Sequence, residues 1–414
     1  MNFVGYRCSK CGEQYGPAEL IYTCPEDGSN LDVQLDYPAI QAKVTVGSIS
    51  IDREHSIWRY LPLLPVEDPG YQGTQLRAVG WTPLLRSRRL ADGLGLEALW
   101  LKDDGRNPTA SFKDRASAVV VARAAEIGAG TLVTASTGNA GAALAGMAAA
   151  VGVPAVILAP ANAPQAKVAQ LLIYGAQVVL VDGNYDQAFD LSLEAAQEFG
   201  WYCRNTGYNA FTAEGKKTAA FEICEQLSSP AVDRWEAPEA VFVSVGDGNI
   251  ITGLHKGFKD LVELGWIDHI PRLYGIQSTG SAAVTHAFEA GTEVIQPVQS
   301  DTIADSISVD LPRDGFRALR AVRDTGGAMI AVEDGAILEA IRTLGREAIF
   351  AEPAGAAAYA GLEAAIGSGR VASHERIVVV ITGSGLKDVP AAMRAAGEAT
   401  VIEPTLEALR DVVS

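Results

Sequence analysis

The sequence predicts an α/β protein: two open, mostly parallel α/β units preceded by a small cysteine-bearing segment. Three observations carry this. Helical stretches and short apolar strands alternate at close spacing, the pattern of parallel strands covered on both faces. The later β-branched runs "AVFVSVGDG", "RLYGIQST", "AMIAVED" and "RIVVVITGSG" each end in glycine or polar residues. A chain of 414 residues also exceeds what one ordinary core holds.

In chain order, residues 1–45 differ from the rest. Cys8-x-x-Cys11 is followed by Cys24, and "CPEDGSNLD" reads as a tight turn into a strand. That is the layout of a small zinc ribbon, which needs four ligands around its metal. Asp27 stands where the fourth ligand belongs, so a structural zinc on Cys8, Cys11 and Cys24 with Asp27, or a degenerate site, are both open. Residues 46–110 and 223–414 are assigned to the larger α/β unit and residues 111–222 to the smaller. "WTPL" (81–84) reads as a leading strand and "EALWLKDD" as a strand ending at a polar loop. Then come a helix from Ser117 to Ile127, a strand from Thr131 to Ala135, a helix from Ala140 to Val151 and a strand from Ala155 to Leu158. A helix from Ala166 to Tyr174, a strand from Gln177 to Val181 and a helix from Tyr185 to Phe199 follow. Residues 227–240 read as a surface connection.

Composition excludes several classes. With 48% apolar and 20% charged residues the chain is neither disordered nor fibrous. A net charge of −17 argues against nucleic-acid binding, which needs a basic footprint. The amino end lacks the basic-then-apolar pattern of a signal peptide. The longest uncharged run, Gly141 to Pro160, is broken by Gly152 and Pro154 and reads as helix, turn and strand, not a membrane span. Five cysteines, an odd number in a long chain, suit a reducing cytoplasm.

Four loops at strand ends or helix starts carry chemistry. In "NPTASFKDR", Lys113 opens a helix among small and apolar residues, where burial and the helix dipole disfavour its ammonium. Such an amine can condense with an aldehyde. Ser136-Thr137-Gly138-Asn139 offers free N–H groups and hydroxyls to a carboxylate. Ser244-Val-Gly246-Asp247-Gly248-Asn249-Ile250 lets backbone wrap a phosphate at a helix start. It is not a dinucleotide fingerprint, since Ile251 stands where a glycine is required. In "TGSGLKD", Thr382 offers a hydroxyl to a heterocycle nitrogen, and Ser384 lies outside a G-x-S-x-G elbow. Together these are what pyridoxal phosphate (PLP) and an amino-acid substrate require.

The motifs "NPTASFKDR", "STGNAGAALA", "EGKKTAAFEI", "VGDGN" and "TGSGLKD" resemble those of threonine synthase, a PLP enzyme of fold type II, over roughly residues 75 to 390. The resemblance implies a Schiff base on Lys113, which also shuttles protons. It implies that Asn139 contacts the cofactor's 3′ oxygen and that Ser136 and Thr137, beside Asn139, hold the substrate carboxylate. It further implies that Gly246, Asp247, Gly248, Asn249 and Ile250 hold the cofactor phosphate and that Thr382 faces the pyridine nitrogen. The implied reaction converts O-phospho-L-homoserine and water to L-threonine and phosphate, and a homodimer is the default expectation for a soluble symmetric enzyme.

Three departures stand out. Ala110 replaces the glycine usual before "SFK". No arginine directly precedes "EGKKT", where many threonine synthases bind the substrate phosphate; Asn205, Thr206, Lys216 and Lys217 are the polar groups nearby. "TIADSISVDLPRDG" (302–315) stands in place of "IRIGNP" and resembles the dehydratase-like relatives. A related β-replacement or elimination enzyme, cysteate-synthase-like on O-phosphoserine or a serine/threonine dehydratase, is therefore the alternative.

Overall fold

In a computed structural model, which describes residues 2–19, 22–161, 163, 165–229 and 232–413, three sheets organise the chain. At the amino end Gln14–Tyr15, Phe3–Cys8 and Leu31–Leu35 form an antiparallel three-stranded sheet, in that order. The turn expected in "CPEDGSNLD" does lead into its last strand.

A six-stranded sheet runs Ala328–Val332, Arg272–Ser278, Ala240–Ser244, Arg376–Ile381, Ala98–Asp103, Leu84–Arg86. All of its pairings are parallel except the last. Alternate side chains serve opposite faces, as pleating requires. Val241, Val243, Val378 and Val380 join one apolar cluster, while Phe242, Ile377, Val379 and Ile381 join another. Both faces are therefore dry, and each fully buried aliphatic side chain contributes roughly 1.5–3 kcal/mol. A four-stranded parallel sheet runs Gln177–Val181, Ala155–Pro160, Leu132–Ala135, Tyr202–Cys203.

Local chemistry sets the helix ends. Asn184 and Gln187 form a capping box at the start of Tyr185–Phe199, and Gly200 ends it at φ 67°. The long uncharged run resolves into the helix Asn139–Val151, a left-handed turn at Gly152 and the strand Ala155–Pro160. No helix among the described residues is long and apolar enough to cross a membrane.

Three sequence expectations need correction. The strand expected at 81–84 is Leu84–Arg86, because the N–H groups of Trp81 and Thr82 turn to the Glu222 carboxylate, at 2.8 and 3.2 Å, instead of to a neighbouring strand. The helix bounded at Ser117 from its pattern begins instead at Lys113, the residue read in its motif as opening a helix. The connection 227–240 is not all surface: Trp235 and Ala237 are buried, and Trp235 packs edge-on against Trp266 at 5.3 Å.

The carboxyl ends of the strands in both parallel sheets feed their following loops into one cleft. Loops 136–139 and 204–206 come from the four-stranded sheet, and loops 245–248 and 382–384 from the six-stranded one.

Candidate active site

A cavity of about 480 Å³ opens between these loops. Of the residues singled out in the sequence, Lys113, Ser136, Thr137, Asn139, Thr206, Gly246, Asp247, Gly248, Asn249, Ile250 and Thr382 line it. Asn205 does not. Its Oδ1 accepts from the Ala135 N–H at 2.8 Å and the Thr134 hydroxyl at 2.9 Å, and its Nδ2 donates to Ser192 Oγ at 2.7 Å. With those bonds Asn205 braces the strand end beneath Ser136.

Lys113 is the first residue of Lys113–Glu126. Burial and the nearby Arg204 guanidinium push its amine below the ordinary lysine range, partly offset by Glu352 and Asp247. The segment before it is tied to the last strand's loop. Phe112 N–H donates to Thr382 O at 2.9 Å, Ser384 N–H to Ala110 O at 3.1 Å, and Ser111 bridges Gly383. Ala110 sits at φ 64°, the left-handed region where glycine is strain-free, which explains why a glycine suits this place.

Behind the lysine lies a dry ionic cluster. Glu222, on Phe211–Leu227, accepts from Arg115 Nη1 at 2.5 Å, Arg115 Nη2 at 2.8 Å and Lys102 Nζ at 2.7 Å. Asp104 takes Arg115 Nε at 2.6 Å. All four side chains are buried. The cluster locks the lysine helix to its neighbours.

Opposite, Gly248 adopts φ 95° immediately before Asn249–Glu263. A Cβ there would meet Asp314 O at 2.7 Å and Ala318 Cβ at 2.8 Å, so only glycine fits. The loop thus aims the free N–H groups of a helix start into the cavity, a ready anion cradle. Lys216 reaches it from Phe211–Leu227, donating to Asn249 Oδ1 at 2.5 Å. Lys217, the next residue, faces away and pairs with Asp260 at 2.7 Å.

Ser136 Oγ accepts from Gly138 N–H at 3.2 Å, and Gly138 is the residue preceding Asn139–Val151. Among the described residues, no side chain caps the start of that helix. Asn139 Nδ2 donates to Glu352 Oε1 at 2.8 Å and to Ser306 Oγ at 3.2 Å. Thr382 Oγ1 lies 3.5 Å from Ser244 Oγ at the cavity wall.

The sequence reading missed Arg204, Tyr185, Glu352 and Ser306, all of which line the cavity. Arg204 stands just outside the "NTGYNAFTAEGKKT" stretch searched for an arginine. Glu352 was detectable only as an acidic residue before a proline-initiated helix.

An aldehyde-bearing phosphate ester fits this donor set: a partly desolvated amine on one wall, and a glycine-built N–H cradle with a lysine on the other. A model of the pyridoxal-phosphate dependent enzymes matches residues 76–383. Over 410 residues the chain is 40% identical to the threonine synthase of Methanocaldococcus jannaschii, covering 98% of each chain. It is 37% identical to that of Methanosarcina acetivorans, again covering 98% of each. Among solved structures, a threonine deaminase from Solanum lycopersicum superposes with a TM-score of 0.65 at 23% identity, over 86% of this chain and 99% of that one. The diaminopropionate ammonia lyase of Escherichia coli gives 0.65 at 22%, over 76% and 87%. These two show a shared fold.

Proposed function

The chain belongs to the pyridoxal-phosphate dependent enzymes, within them to the threonine synthases, and from that premise we propose that it converts O-phospho-L-homoserine and water to L-threonine and phosphate. The observation that carries the assignment of roles is Lys113, whose amine meets the same cavity as the Gly246–Ile250 cradle.

When bound, pyridoxal phosphate supplies an electron sink for charge that develops beside the substrate's amino group. The backbone of Gly246 to Ile250 holds the cofactor phosphate, and Asp247 anchors the loop by accepting from Arg313 N–H at 3.3 Å. The Thr382 hydroxyl serves the ring nitrogen. Asn139, oriented by Glu352, serves the ring oxygen. Ser136, Thr137 and the following N–H groups hold the substrate carboxylate. Lys113 Nζ, the carbonyl-condensing amine, would carry protons one at a time, off Cα, then off Cβ as phosphate leaves Cγ, and back to Cγ and Cα as water adds at Cβ, and burial lowers its pKa in the direction such a base needs. Thr206 lines the substrate side, and Asn205 positions the loop above it.

The test is reduction with borohydride followed by peptide mapping, paired with phosphate-release assays on phosphohomoserine, phosphoserine, serine and threonine. Labelling at Lys113 and turnover of phosphohomoserine support the assignment; an adduct elsewhere sinks it. Elimination to a keto acid, or cysteate-synthase-like replacement on phosphoserine, is favoured by one observation: Asp305 to Val309 of the dehydratase-like segment line the cavity. Keto-acid formation in the same assays would select that reading.

The amino-terminal segment supports a structural zinc. The ligand atoms of Cys8, Cys11, Cys24 and Asp27 lie within 4.8 Å of one another. Lys10 and Cys11 N–H groups donate to Cys8 Sγ at 3.4 Å, which stabilises a thiolate. Metal analysis of the purified protein, with and without Asp27→Ala, tests it; a metal-free wild-type protein refutes it. Five free cysteines support a cytoplasmic setting. A homodimer is the expected assembly, and sedimentation decides it.

A further inference from the structure

Arg204 has no part in the scheme above, yet it lines the cavity and is fully buried. Its Nε donates to Ser117 Oγ at 3.1 Å and its Nη1 to Thr206 Oγ1 at 2.6 Å. Its Nη2 has no partner among the described residues. Neither of its bonds goes to a carboxylate, an unusual state for a buried guanidinium.

The nearby carboxylates act on Arg204 only at a distance and do not bond to it. Lys113 and Lys216 line the same cavity, and the hydrogen bond Lys216 makes there is to the neutral Asn249 side chain. Asp314 is held by Arg317 at 2.5 Å and by Asn249. Glu352 is occupied by Asn139, and Asp247 by the Arg313 backbone. Asp305, the third carboxylate of the lining, is held by Lys167, so among the described residues none of the cavity's carboxylates forms an ion pair with Arg204. The cradle at Gly246–Ile250 accounts for one anion, the cofactor phosphate. Arg204 stands at the other side of the cleft. It follows the strand Tyr202–Cys203, and its N–H donates to Val133 O at 2.8 Å, one strand over from the Ser136–Thr137 loop. That is the wall assigned to the substrate.

We propose that Arg204 binds the phosphate of the substrate's side chain and selects phosphorylated over uncharged amino acids. This rests on the threonine-synthase reading above and adds to it the residue that sets substrate class. Thr212, in the place where the resemblance leads one to look for an arginine, is spent on Asn209 O at 2.7 Å and Asn249 Oδ1 at 3.1 Å. The Thr206 hydroxyl, accepting from Arg204, keeps its own proton to donate toward the same phosphate.

The test uses the PLP-loaded protein and two probes of similar length: 2-amino-5-phosphonopentanoate, a non-cleavable isostere of phosphohomoserine, and norleucine. Cofactor affinity is titrated separately by absorbance. Arg204→Gln is expected to weaken the phosphonate roughly 10- to 100-fold, the range of a charge-assisted hydrogen bond. Norleucine and PLP affinity should stay within about threefold. Arg204→Lys, which keeps the charge but not the fork, should fall between the two proteins for the phosphonate alone. If PLP affinity falls in parallel, the guanidinium serves the cofactor and the proposal is overturned. If neither variant changes phosphonate binding, it is equally overturned. Should Arg204→Gln fail to fold, the lysine variant decides by the same criteria. A wild-type protein that holds PLP but prefers norleucine to the phosphonate defeats the phosphorylated-substrate reading itself, a result distinct from either of these.

Discussion

Replacing Glu222 with glutamine removes one carboxylate from a dry cluster of two cations and two anions. Wild-type Glu222 accepts from Arg115 twice, from Lys102, and from the N–H groups of Trp81 and Thr82. The amide places an NH₂ where donors converge and leaves Arg115 and Lys102 facing Asp104 alone. Breaking a buried pair in this way costs about 3–5 kcal/mol. The charges around Glu222 give a second figure. Burial alone would raise the Glu222 pKa, but Arg115 and Lys102 outweigh it and hold the carboxyl at about 2, against an ordinary 4.5. A depressed acid contributes stability that is complete above the unfolded value and lost as pH falls through the folded one. That window, pH 4.5 down to 2, corresponds to about 3 kcal/mol. Urea unfolding followed by circular dichroism, at pH 7 and at steps below 4.5, measures both. Glu222→Gln should lose several kcal/mol at neutral pH and show a flatter acid limb. The double variant Lys102→Met/Glu222→Gln, which restores charge balance, should be less destabilised than the sum of its parts. A single-variant loss under about 1 kcal/mol, or strict additivity, would refute the view that these charges depend on one another.

Other perturbations have equally definite outcomes. Ala110→Gly relieves a left-handed alanine and should stabilise the fold by about 0.5–1 kcal/mol after unfolded-state entropy is set against it; a lower thermal midpoint would contradict this. Gly248→Ala forces a Cβ to 2.7 Å from Asp314 O, and absorbance titration should show cofactor affinity reduced at least tenfold, about 1.4 kcal/mol. Burial, followed by the Lys259 charge, depresses His255 to about 4 from 6.5. Unfolded histidine therefore takes up a proton first, and stability should decline by up to about 3 kcal/mol as pH falls from 6.5 to 4. His255→Gln should flatten that limb, and an unchanged pH profile would remove His255 as its source.

Much of the fold can be read from the chain because continuous β-branched runs and caps such as Asn184–Gln187 act locally. The strand Gln177–Val181 and the helix Tyr185–Phe199 have the ends their patterns suggest. Trp81 misled because its N–H is claimed by Glu222, far along the chain. Cavity residues in glycine-rich loops at strand ends announce themselves, since glycine and hydroxyl residues leave compositional marks. Arg204 and Glu352 do not, because what distinguishes them is burial and the lack or possession of a partner, which tertiary packing decides. The pair in "GKKT" shows the limit well: two adjacent lysines, one facing the cavity and one an ion-pair partner on the opposite side, separated only by the turn of a helix.

Residues 110–112 are sewn to residues 382–384 by backbone hydrogen bonds. On the ribosome, Lys113 emerges long before the strand Arg376–Ile381, whose following loop encloses it. A nascent chain thus carries Lys113 early but completes its enclosure late, which matters if the lysine has the role proposed above. Coenzyme uptake then becomes a mark of finished synthesis, and products truncated ahead of that strand are expected to stay colourless.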